Sequence, residues 1–466
     1  MIEKIINLTN DALYSYVLII LLVLGGIYFT IRTRFAQFRL LGEQFKSVTE
    51  KTDKNGVSSF QALMVSTASR VGTGNIIGVA TALCMGGFGS VFWMWVIAII
   101  GSASAFVEST LAQIYKKRGK DGCYGGPAYY IEAVTKKKWL SILFSIFLIL
   151  TYGFGFNMLA SYNLQATFSP YSFYNETYTP WIIGFIIAVL VGYCLIGGGK
   201  RIIAVTSFLV PIMGAIYIAV AIAITVINIK VLPSVFEQIF VGAFDVKAIF
   251  GGFSGSCVMY GIKRGLFSNE AGVGSAPNAS ASADVSHPAK QGLVQVLSVF
   301  IDTILVCSAT AFMCMSSGVT PPTNSDQAAA YVQDALSATL GNVGPIFITV
   351  AMLLFAFTTL LGNLYYVDKT INYLLGKEPT KLVRNICYVI ASLVIFVGAG
   401  LSADLLWGIA DITMGGMTII NMPIILYLGK YAIRTLKDYE MKLKKGGDIT
   451  FNKNDIDLPH ETDYWN

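Results

Sequence analysis

The chain has 466 residues, of which 55% are hydrophobic and only 13% are charged, and its formal net charge is +6. This composition excludes a soluble globular domain and indicates an integral membrane protein. The two histidines, His287 and His460, are too few for a histidine-based metal site.

Eleven apolar runs are long enough to cross a bilayer, which requires about 20 residues each. They lie near residues 13–31, 60–84, 89–114, 139–168, 181–197, 202–228, 243–263, 291–317, 343–368, 385–402 and 405–430. The predicted fold class is an all-α integral membrane protein with 11 transmembrane helices. The first run lacks a cationic start and a cleavage site, so we expect an uncleaved span that is peripheral to the others.

The distribution of basic residues predicts how the chain is oriented in the membrane. Most of the 33 Lys and Arg residues lie in one alternating set of connecting segments or in the C-terminal tail. Only Lys4, Lys230 and Lys247 lie on the opposite side. Because cytoplasmic loops are enriched in basic residues, we predict the N-terminus outside and the C-terminus in the cytoplasm, and nucleic-acid binding has no support. The charged tail from Lys437 onward is expected to be disordered in the cytosol.

The second span is interrupted at its midpoint by residues 71–75, which read VGTGN. Glycine is disfavoured inside helices by about 1 kcal/mol relative to alanine, and lipid offers no partner to an unpaired backbone group. We therefore predict a broken helix whose ends line a cavity. The alternative is close packing between helices, because Gly74 and Gly78 also form a small-xxx-small pattern.

A second interruption is predicted five spans later, at residues 251–256, which read GGFSGS. Two interrupted spans at corresponding positions of two halves are typical of secondary transporters. Since each half has five spans, an odd number, the second half is predicted to be inverted, with spans 2–6 and 7–11 as the repeats. Residues 264–277 would then follow the second break on the cytoplasmic side.

This organisation divides the chain into five segments. They are a peripheral helix and loop at 1–56, the first repeat at 57–228, an external connector at 229–242, the second repeat at 243–431 and a cytoplasmic tail at 432–466.

Two broken helices at the middle of the membrane suit a zwitterionic amino acid. The amides at the start of a half-helix favour an anion, such as a carboxylate at Thr73 and Gly74, and freed carbonyls favour an ammonium group. Phe253 is a candidate cap over the ligand, although a phenylalanine in a helix bundle usually only packs. From these two breaks, the predicted substrate-binding residues are Thr73, Gly74, Asn75, Gly252, Phe253 and Ser254.

A sodium site is predicted beside the first break. The carbonyls of Ala68 and Val71 and the hydroxyls of Thr358 and Thr359 fall at one depth, slightly cytoplasmic of the membrane centre, if the second and ninth spans run in opposite directions. Sodium favours such hard oxygen ligands. The alternative is that the paired threonines only donate hydrogen bonds to the preceding helical turn.

Charged residues inside spans are costly and are functional candidates. Arg70 and Asp302 lie within predicted spans, and Glu270 lies in the segment after the second break. All three are candidates for a gate or for coupling, and the alternative for Arg70 and Asp302 is a structural ion pair. Glu108, near the cytoplasmic end of the third span, is expected at the membrane interface.

Three segments resemble one transporter family closely: residues 70–76 (RVGTGNI), 125–131 (GGPAYYI) and 264–277 (RGLFSNEAGVGSAP). On these motifs the chain resembles the alanine or glycine:cation symporter family from about residue 60 to residue 430. The family is similar in architecture to the leucine-transporter fold. The resemblance implies sodium-coupled uptake of alanine or glycine across the plasma membrane of a prokaryote.

Carried over by position, the resemblance makes residues 71–75 the first broken helix of that fold. It implies a sodium site formed by Ala68, Val71, Thr358 and Thr359, in agreement with the depth argument. Many family members have a tryptophan next to the ligand where this chain has Asn363. An amide leaves more room there and offers a hydrogen bond, so glutamine or another larger polar amino acid remains an open substrate.

The predicted function is sodium-driven, alternating-access import of a small neutral amino acid. The predicted partners are the amino acid, a sodium ion as the coupling ion and the lipid bilayer, with no other cofactor. A proton-driven carrier that uses Asp302 is the alternative within the transporter class. An ion channel is the alternative from another class, although no filter motif is repeated. An enzyme is disfavoured because no His, Cys or acidic cluster has catalytic spacing.

Overall fold

The computed structural model describes residue 6 and residues 8–10, 12–50, 56–119, 122–245 and 256–465. Helices dominate these residues, and the strands form one short hairpin, β1 Lys117–Gly119 with β2 Gly122–Tyr124. The first half contains α1 Leu18–Arg32, α2 Ala36–Arg39, α3 Leu41–Val48, α4 Ser59–Arg70, α5 Val79–Gly86, α6 Ser90–Ile114, α7 Pro127–Thr135, α8 Lys138–Leu148, α9 Phe156–Ala166, α10 Thr179–Ile196 and α11 Gly198–Ile227.

The second half contains α12 Leu232–Phe244, α13 Cys257–Asn269, α14 Pro277–Ser280, α15 Pro288–Val299, α16 Ser308–Met315, α17 Ala328–Leu340, α18 Val343–Leu375, α19 Lys381–Gly398 and α20 Ala403–Lys445. π-Helical turns at Leu13–Val17, Gly74–Gly78, Ile149–Gly155 and Phe300–Cys307 precede or join α1, α5, α9 and α16. Short 3₁₀ turns occur at Ile229–Val231, Ser325–Gln327 and Lys453–Ile456.

Eight helices in the described part of the chain are long and apolar enough to cross a membrane: Ser90–Ile114, Lys138–Ala166, Thr179–Ile196, Gly198–Ile227, Pro288–Met315, Val343–Leu375, Lys381–Gly398 and Ala403–Lys445. Leu18–Arg32 and Gly74–Gly86 are shorter apolar helices. The predicted all-α membrane class is confirmed. The count of 11 crossings and the inverted repeat stay predictions.

Local sequence signals explain where the helices beside the site begin. Ser58 caps α4: its hydroxyl accepts from the amide of Gln61 at 3.1 Å, and the Gln61 side chain accepts from the Ser58 amide at 3.0 Å. This reciprocal pair satisfies two amides that a helix start leaves free. Ser256 caps α13 in a similar way by accepting from the Met259 amide at 3.1 Å. Both helices therefore have defined starts ahead of the buried segments in which they end.

Residues 229–242, predicted as an external connector, include most of the helix α12, and their position outside the membrane stays a prediction. One prediction about the end of the chain is wrong. The tail, expected to be disordered from Lys437, continues α20 to Lys445 and then packs against the body of the protein, where Phe451, Ile456 and Trp465 are buried. These few spaced apolar side chains are enough to hold a charged segment, because its lysines and acids also pair, as Lys442 does with Asp455 at 2.7 Å.

The helices that border the site pack around α4 and α6. α11 and α18 lie against α4, whereas α13 and α15 lie along α6. Glycine allows the closest of these approaches: a Cβ on Gly362 of α18 would lie 2.6 Å from the backbone nitrogen of Ser69 in α4. The end of α4 is thereby held against the middle of α18, where the threonine pair lies.

Candidate functional site

The first predicted break is confirmed. Helix α4 ends at Arg70, Val71 has a non-helical ψ of 89°, and helical structure resumes around Thr73. The side chain of Asn75 bridges the gap, because its Oδ1 accepts from the Gly72 amide at 2.7 Å. Only glycine fits at residue 72, since a Cβ there would lie 1.9 Å from Thr359 Oγ1.

A second break lies where helix α13 ends at Asn269. Glu270 has φ 54°, and Gly272 and Gly274 have φ 85° and 92°, the left-handed region that glycine adopts without strain. Non-helical turns continue until α14 begins at Pro277, and every residue of this segment is buried. Unwound backbone of this kind is tolerated in a membrane only inside protein or beside a cavity.

Two side chains from other helices hold the second break. Glu108 Oε1 accepts from the Gly272 amide at 3.4 Å, and Asn421 Nδ2 donates to the Gly272 carbonyl at 2.9 Å. Asn421 also donates to Glu108 Oε2 at 3.0 Å. Glu108 is fully buried among the helices, and its expected depth at the membrane interface stays a prediction. Its carboxyl oxygens accept hydrogen bonds from the break and from α20.

The sequence predicted the second break at residues 251–256. Of residues 251–256, only Ser256 is among the described residues, and it caps α13; Gly252, Phe253 and Ser254 lie outside them, so their predicted role stays a prediction. Residues 264–277, predicted on the cytoplasmic side, are buried inside the protein, and their side of the membrane stays a prediction.

Lys263 and Arg264 form ion pairs inside the protein. Lys263 Nζ lies 2.8 Å from Asp411 Oδ2, and Arg264 Nη1 lies 3.5 Å from Asp411 Oδ1. The Arg264 guanidinium also lies 3.9 Å from the ring centroid of Trp407. A charge count along the chain cannot distinguish such internally paired residues from those that face the cytoplasm.

The first break meets the last turns of helix α13. The ring of Phe267 covers Gly74, where a Cβ would come within 2.8 Å of it. Ser268 Oγ accepts from Asn75 Nδ2 at 3.1 Å. Between the first break and α13 is a cavity of about 10 Å³, roughly the space of one water molecule. Its lining residues are Ser69, Arg70, Gly72, Thr73, Gly74, Phe156, Phe267 and Thr359.

Ser69, Phe156, Phe267 and Ser268 are site residues that the sequence did not single out. The rings of Phe267 and Phe156 lie 4.4 Å apart at their centroids, and Phe267 lies 4.8 Å from Trp407. An available signal was the run of small and polar residues from Ser268 to Ser275, which is rich in glycine and poor in helix formers.

The predicted sodium ligands lie on both sides of the first break. Thr359 Oγ1 is buried, has no hydrogen-bond partner within the described residues and points at Gly72. Thr358 Oγ1 donates to the carbonyls of Leu354 and Phe355, at 3.0 and 3.2 Å, as the alternative interpretation expects. A hydroxyl that donates in this way still has lone pairs for a cation.

The backbone half of the predicted set lies at the end of α4. Ala68 and Val71 are buried, and the Val71 amide donates to the Thr67 carbonyl at 2.7 Å. The non-helical ψ of Val71 removes the carbonyl of this residue from the regular helical direction. Two hydroxyls and a backbone that leaves its helix are hard oxygen donors suited to a sodium ion.

Asp302 lies on the π-helical turn Phe300–Cys307 and is fully buried. Its carboxylate accepts hydrogen bonds from Asn75 Nδ2 at 2.7 Å, from Ser268 Oγ at 2.6 Å and from Thr303 Oγ1 at 2.7 Å. Asp302 thus joins both breaks through Asn75 and Ser268. A change in its charge would act on both broken helices at once.

Arg70 and Asp302 do not form the ion pair that was the alternative interpretation. Arg70 Nη1 donates to Gln295 Oε1 at 2.9 Å, whereas Nε and Nη2 have no hydrogen-bond partner in the described part of the chain. Arg70 nevertheless interacts electrostatically with the buried carboxyl groups of Glu108, Glu270 and Asp302. One guanidinium group and three carboxyl groups therefore lie around the breaks.

Glu270 and Asn363 are linked through Ser69 at the end of α4. The Ser69 hydroxyl lies 2.7 Å from Asn363 Oδ1 and 3.3 Å from Glu270 Oε1, and Ser275 donates to Glu270 Oε2 at 2.6 Å. Asn363 Nδ2 donates to Asn157 Oδ1 at 2.9 Å. Asn363 is therefore one hydrogen bond away from the cavity rather than in its lining.

Comparisons with known proteins agree with this geometry. The chain matches the model of the Sodium:alanine symporter family over residues 1–453. It is 42% identical to the amino-acid carrier protein AlsT of Bacillus subtilis, with 99% of this chain and 97% of the relative covered. It is 40% identical to the probable sodium/glutamine symporter GlnT of Bacillus subtilis, with 100% and 96% covered.

A third relative, the sodium/alanine symporter AgcS of Methanococcus maripaludis, is 36% identical, with 94% of this chain and 97% of the relative covered. The resemblance predicted from the three sequence motifs is confirmed, and the protein is a multi-pass membrane transporter, not an enzyme. The chain belongs to the sodium:alanine symporter family.

Proposed function

We propose that the protein imports a small neutral amino acid, alanine or glycine, together with sodium by alternating access. The observation that carries this proposal is a buried cavity between the first break and helix α13, where the Thr359 hydroxyl, which has no hydrogen-bond partner within the described residues, points into the first break. Interrupted helices provide free backbone groups for a zwitterion and an alkali ion. Relatives named as sodium-coupled amino-acid symporters support the same class.

Sodium binds, in this proposal, to the carbonyls of Ala68 and Val71 and to the hydroxyls of Thr358 and Thr359. The oxygen atoms of these groups are the hard ligands that sodium favours. Each positive charge that enters down a potential of 100 mV supplies about 2.3 kcal/mol. The sodium concentration gradient adds to this driving force.

The amino acid binds between the breaks. Its carboxylate meets the first amides of the resumed helix at Thr73 and Gly74, where the helix dipole favours an anion. Its ammonium meets the carbonyl end of α13 at Asn269, and Phe267 with Phe156 covers its side chain. Because the cavity measures only about 10 Å³, the two broken helices must separate to admit the substrate.

A second, larger cavity offers a route to one side of the membrane. Its volume is about 930 Å³, and Gln61, Ile203, Asp284, Tyr365 and Arg384 are among its lining residues. We assign it to the cytoplasmic side because basic residues concentrate there. Substrate and sodium leave through this vestibule when the bundle around the first break rocks away from its neighbours.

The topology in this proposal has 11 spans, an external N-terminus, a cytoplasmic C-terminus and two inverted five-span repeats. The two breaks support a repeat in which α4 with α5 corresponds to α13 with α14. In this repeat, the break at residues 270–276 is the partner of the first break. The proposed boundaries are those predicted from the sequence, with the tail from residue 432 on the cytoplasmic side.

Glutamine is the second candidate substrate. GlnT, a relative at 40% identity, is named as a probable sodium/glutamine symporter, and Asn363 places an amide one hydrogen bond from the cavity. Competition by each of the twenty amino acids against sodium-driven alanine uptake in proteoliposomes separates the candidates. We expect only alanine and glycine to compete. If glutamine competes more strongly than either, glutamine is the substrate instead.

Ion replacement tests the coupling. We expect alanine uptake and saturable counterflow to require sodium and to stop when choline replaces it. Uptake that survives in choline and follows an imposed pH gradient would favour a proton-driven carrier acting through Asp302. Unsaturable flux without counterflow would favour a channel. In a proton-driven carrier, Asp302→Asn should abolish the pH-driven component of uptake. In a sodium-driven carrier, uptake by the same variant should still require sodium.

A further inference from the structure

The chain turns sharply where helix α1 ends. Arg34 and Phe35 both have φ 56°, in the left-handed region that residues other than glycine seldom adopt. The turn is held by the Phe35 amide, which donates to the Thr30 carbonyl at 2.9 Å, and by the Thr33 hydroxyl, which donates to the Phe29 carbonyl at 2.8 Å. Two short helices, α2 and α3, follow it. We call residues 32–48 the corner segment.

The corner segment has its polar face inside and its apolar face outside. Gln37, Gln44 and Ser47 are buried, and Gln44 Nε2 donates to the Gln37 carbonyl at 2.8 Å. By contrast, Phe35, Phe38, Leu41 and Phe45 are 53%, 52%, 44% and 56% exposed. A helix pair bathed in water would show the opposite pattern, because its apolar side chains would face the protein.

Positive charge borders this apolar face. Arg39 pairs with Glu440 at 2.6 Å and Lys46 pairs with Glu43 at 2.7 Å, so these two basic residues are balanced by acids. Arg32 and Arg34 are exposed at the turn, and neither forms an ion pair in the described part of the chain. The corner segment therefore presents four large apolar side chains beside two exposed guanidinium groups.

We propose that the corner segment lies in the plane of the bilayer interface and binds anionic phospholipid. Phe35, Phe38, Leu41 and Phe45 insert below the headgroups, and Arg32 and Arg34 bind the headgroup phosphates. The exposed apolar face of α1, which includes Ile27 and Ile31, leads directly into this surface. Helices that combine exposed aromatic residues with basic residues bind the membrane in this way.

The surface is connected to the transport machinery. Helix α3 packs along α15, and the ring of Phe38 stacks on Phe300 at a centroid distance of 6.1 Å. Phe300 begins the π-helical turn that carries Asp302. Bound lipid thus supports the helix whose continuation holds the acidic group of the site. The lipid-binding proposal stands independently of the transport activity, because its tests measure lipid contact directly.

The first experiment measures lipid preference. Full-length protein is placed in nanodiscs of mixed phosphatidylglycerol and phosphatidylcholine, and the relative association of the two lipids is measured by native mass spectrometry. Each basic residue near an anionic surface is worth about fivefold in association, so Arg32→Gln with Arg34→Gln should reduce the phosphatidylglycerol preference by about 25-fold at this surface. Lys444→Gln with Lys445→Gln, two exposed residues of α20, is the matched control and should change nothing. Equal preference in the arginine variant and the wild type would overturn the proposal.

The second experiment measures insertion. Phe45→Trp adds a fluorophore at an exposed position and leaves the buried face intact. Its added emission, relative to the wild type, should be quenched by phospholipids brominated in their acyl chains and resist aqueous acrylamide. Glu461→Trp, on the exposed part of the tail, is the control that acrylamide should quench. Acrylamide quenching of Phe45→Trp as strong as that of the control would place the corner segment in water.

Discussion

At the scale of single residues, chemistry at the first break depends on Gly72, Asn75 and Thr359. Because Gly72 has no side chain, the Thr359 hydroxyl occupies space that a methyl group at residue 72 would need. Asn75 satisfies the Gly72 amide and also donates to Asp302. Thr359 has no partner within the described residues. A buried polar group without a partner costs about 1–3 kcal/mol, which a sodium ion would recover.

Replacement of Thr359 by alanine tests this interpretation. We expect Thr359→Ala to raise the sodium concentration for half-maximal uptake by roughly tenfold, because a lost ligand worth ~1.4 kcal/mol corresponds to that factor. Thr359→Ser should retain near-normal sodium dependence. Thr370→Ala is the control on the same helix, since the Thr370 hydroxyl only donates to the Tyr366 carbonyl at 2.9 Å. An unchanged sodium dependence in Thr359→Ala would remove this hydroxyl from the ion site.

Substitution of Gly72 tests the close approach itself. Gly72→Ala should abolish uptake, because its methyl carbon would lie 1.9 Å from Thr359 Oγ1. Gly42→Ala, in helix α3, is the control because a Cβ there meets nothing within 4 Å. Uptake and membrane abundance should both be measured. Full activity of Gly72→Ala would mean that the break and α18 do not approach as the structure describes.

At the scale of elements, the two interrupted helices are organised by side chains from their neighbours. The first break is satisfied from within by Asn75, whereas the second is held by Glu108 from α6 and Asn421 from α20. This difference follows from sequence: the first gap is short, and the second spans seven residues with two glycines at positive φ. The second break is therefore sensitive to movements of α6 and α20.

The Asn75 bridge gives a prediction at this scale. Asn75→Ala leaves the Gly72 amide without its acceptor and removes one of three donors to Asp302, so we expect a loss of about 1–3 kcal/mol in stability and a strong loss of uptake. Thermal unfolding in detergent and uptake in proteoliposomes measure the two effects. Asn228→Ala is the control, because Asn228 donates only to Thr339 at 3.0 Å, away from both breaks. Equal melting temperatures and uptake for both variants would contradict the bridge.

At the scale of the whole molecule, the C-terminal tail joins parts of the chain that are distant in sequence. Trp465 Nε1 donates to the Gln113 carbonyl at 2.7 Å, and the Tyr464 hydroxyl donates to Asp284 at 2.7 Å. The Lys116 ammonium lies 3.8 Å from the Tyr464 ring centroid. Burial lowers the pKa of Lys116 to about 8. The tail therefore covers the end of α6 and the segment that follows the second break.

Detachment of the tail can be measured by proteolysis. Trp465→Ala removes the main apolar anchor, so trypsin should cleave the tail at Lys453 at least about tenfold faster, the equivalent of ~1.4 kcal/mol in the docking equilibrium. Glu461→Ala, at an exposed position of the same tail, should leave the rate unchanged. Equal cleavage rates in Trp465→Ala and the wild type would mean that the tail is disordered, as its charge predicts.

Much of the fold and part of the site follow from local sequence. Long apolar runs cannot be soluble, so the helical membrane class and the eight helices long enough to cross a membrane were predictable from hydropathy alone. Residues 71–75 predicted a break because two glycines around a threonine weaken any helix, whatever surrounds it. Three motifs were specific enough to predict the family. The unwinding at residues 270–276 was not predictable, because other glycine-rich stretches, such as Gly251–Gly252, carry the same local signal as Gly272–Gly274.

Only the tertiary structure shows which distant residues contact the buried charged side chains. Arg264 contacts Asp411 and Trp407, which lie more than 140 residues later in the chain, and no local pattern predicts either contact. Glu108 accepts a hydrogen bond from the Gly272 amide only because α6 packs against the unwound segment. The sequence by itself determined the apolar helices and the first break, because both depend on residues that are close together in the chain. Burial of charge depends on distant partners, and only the folded chain brings those together.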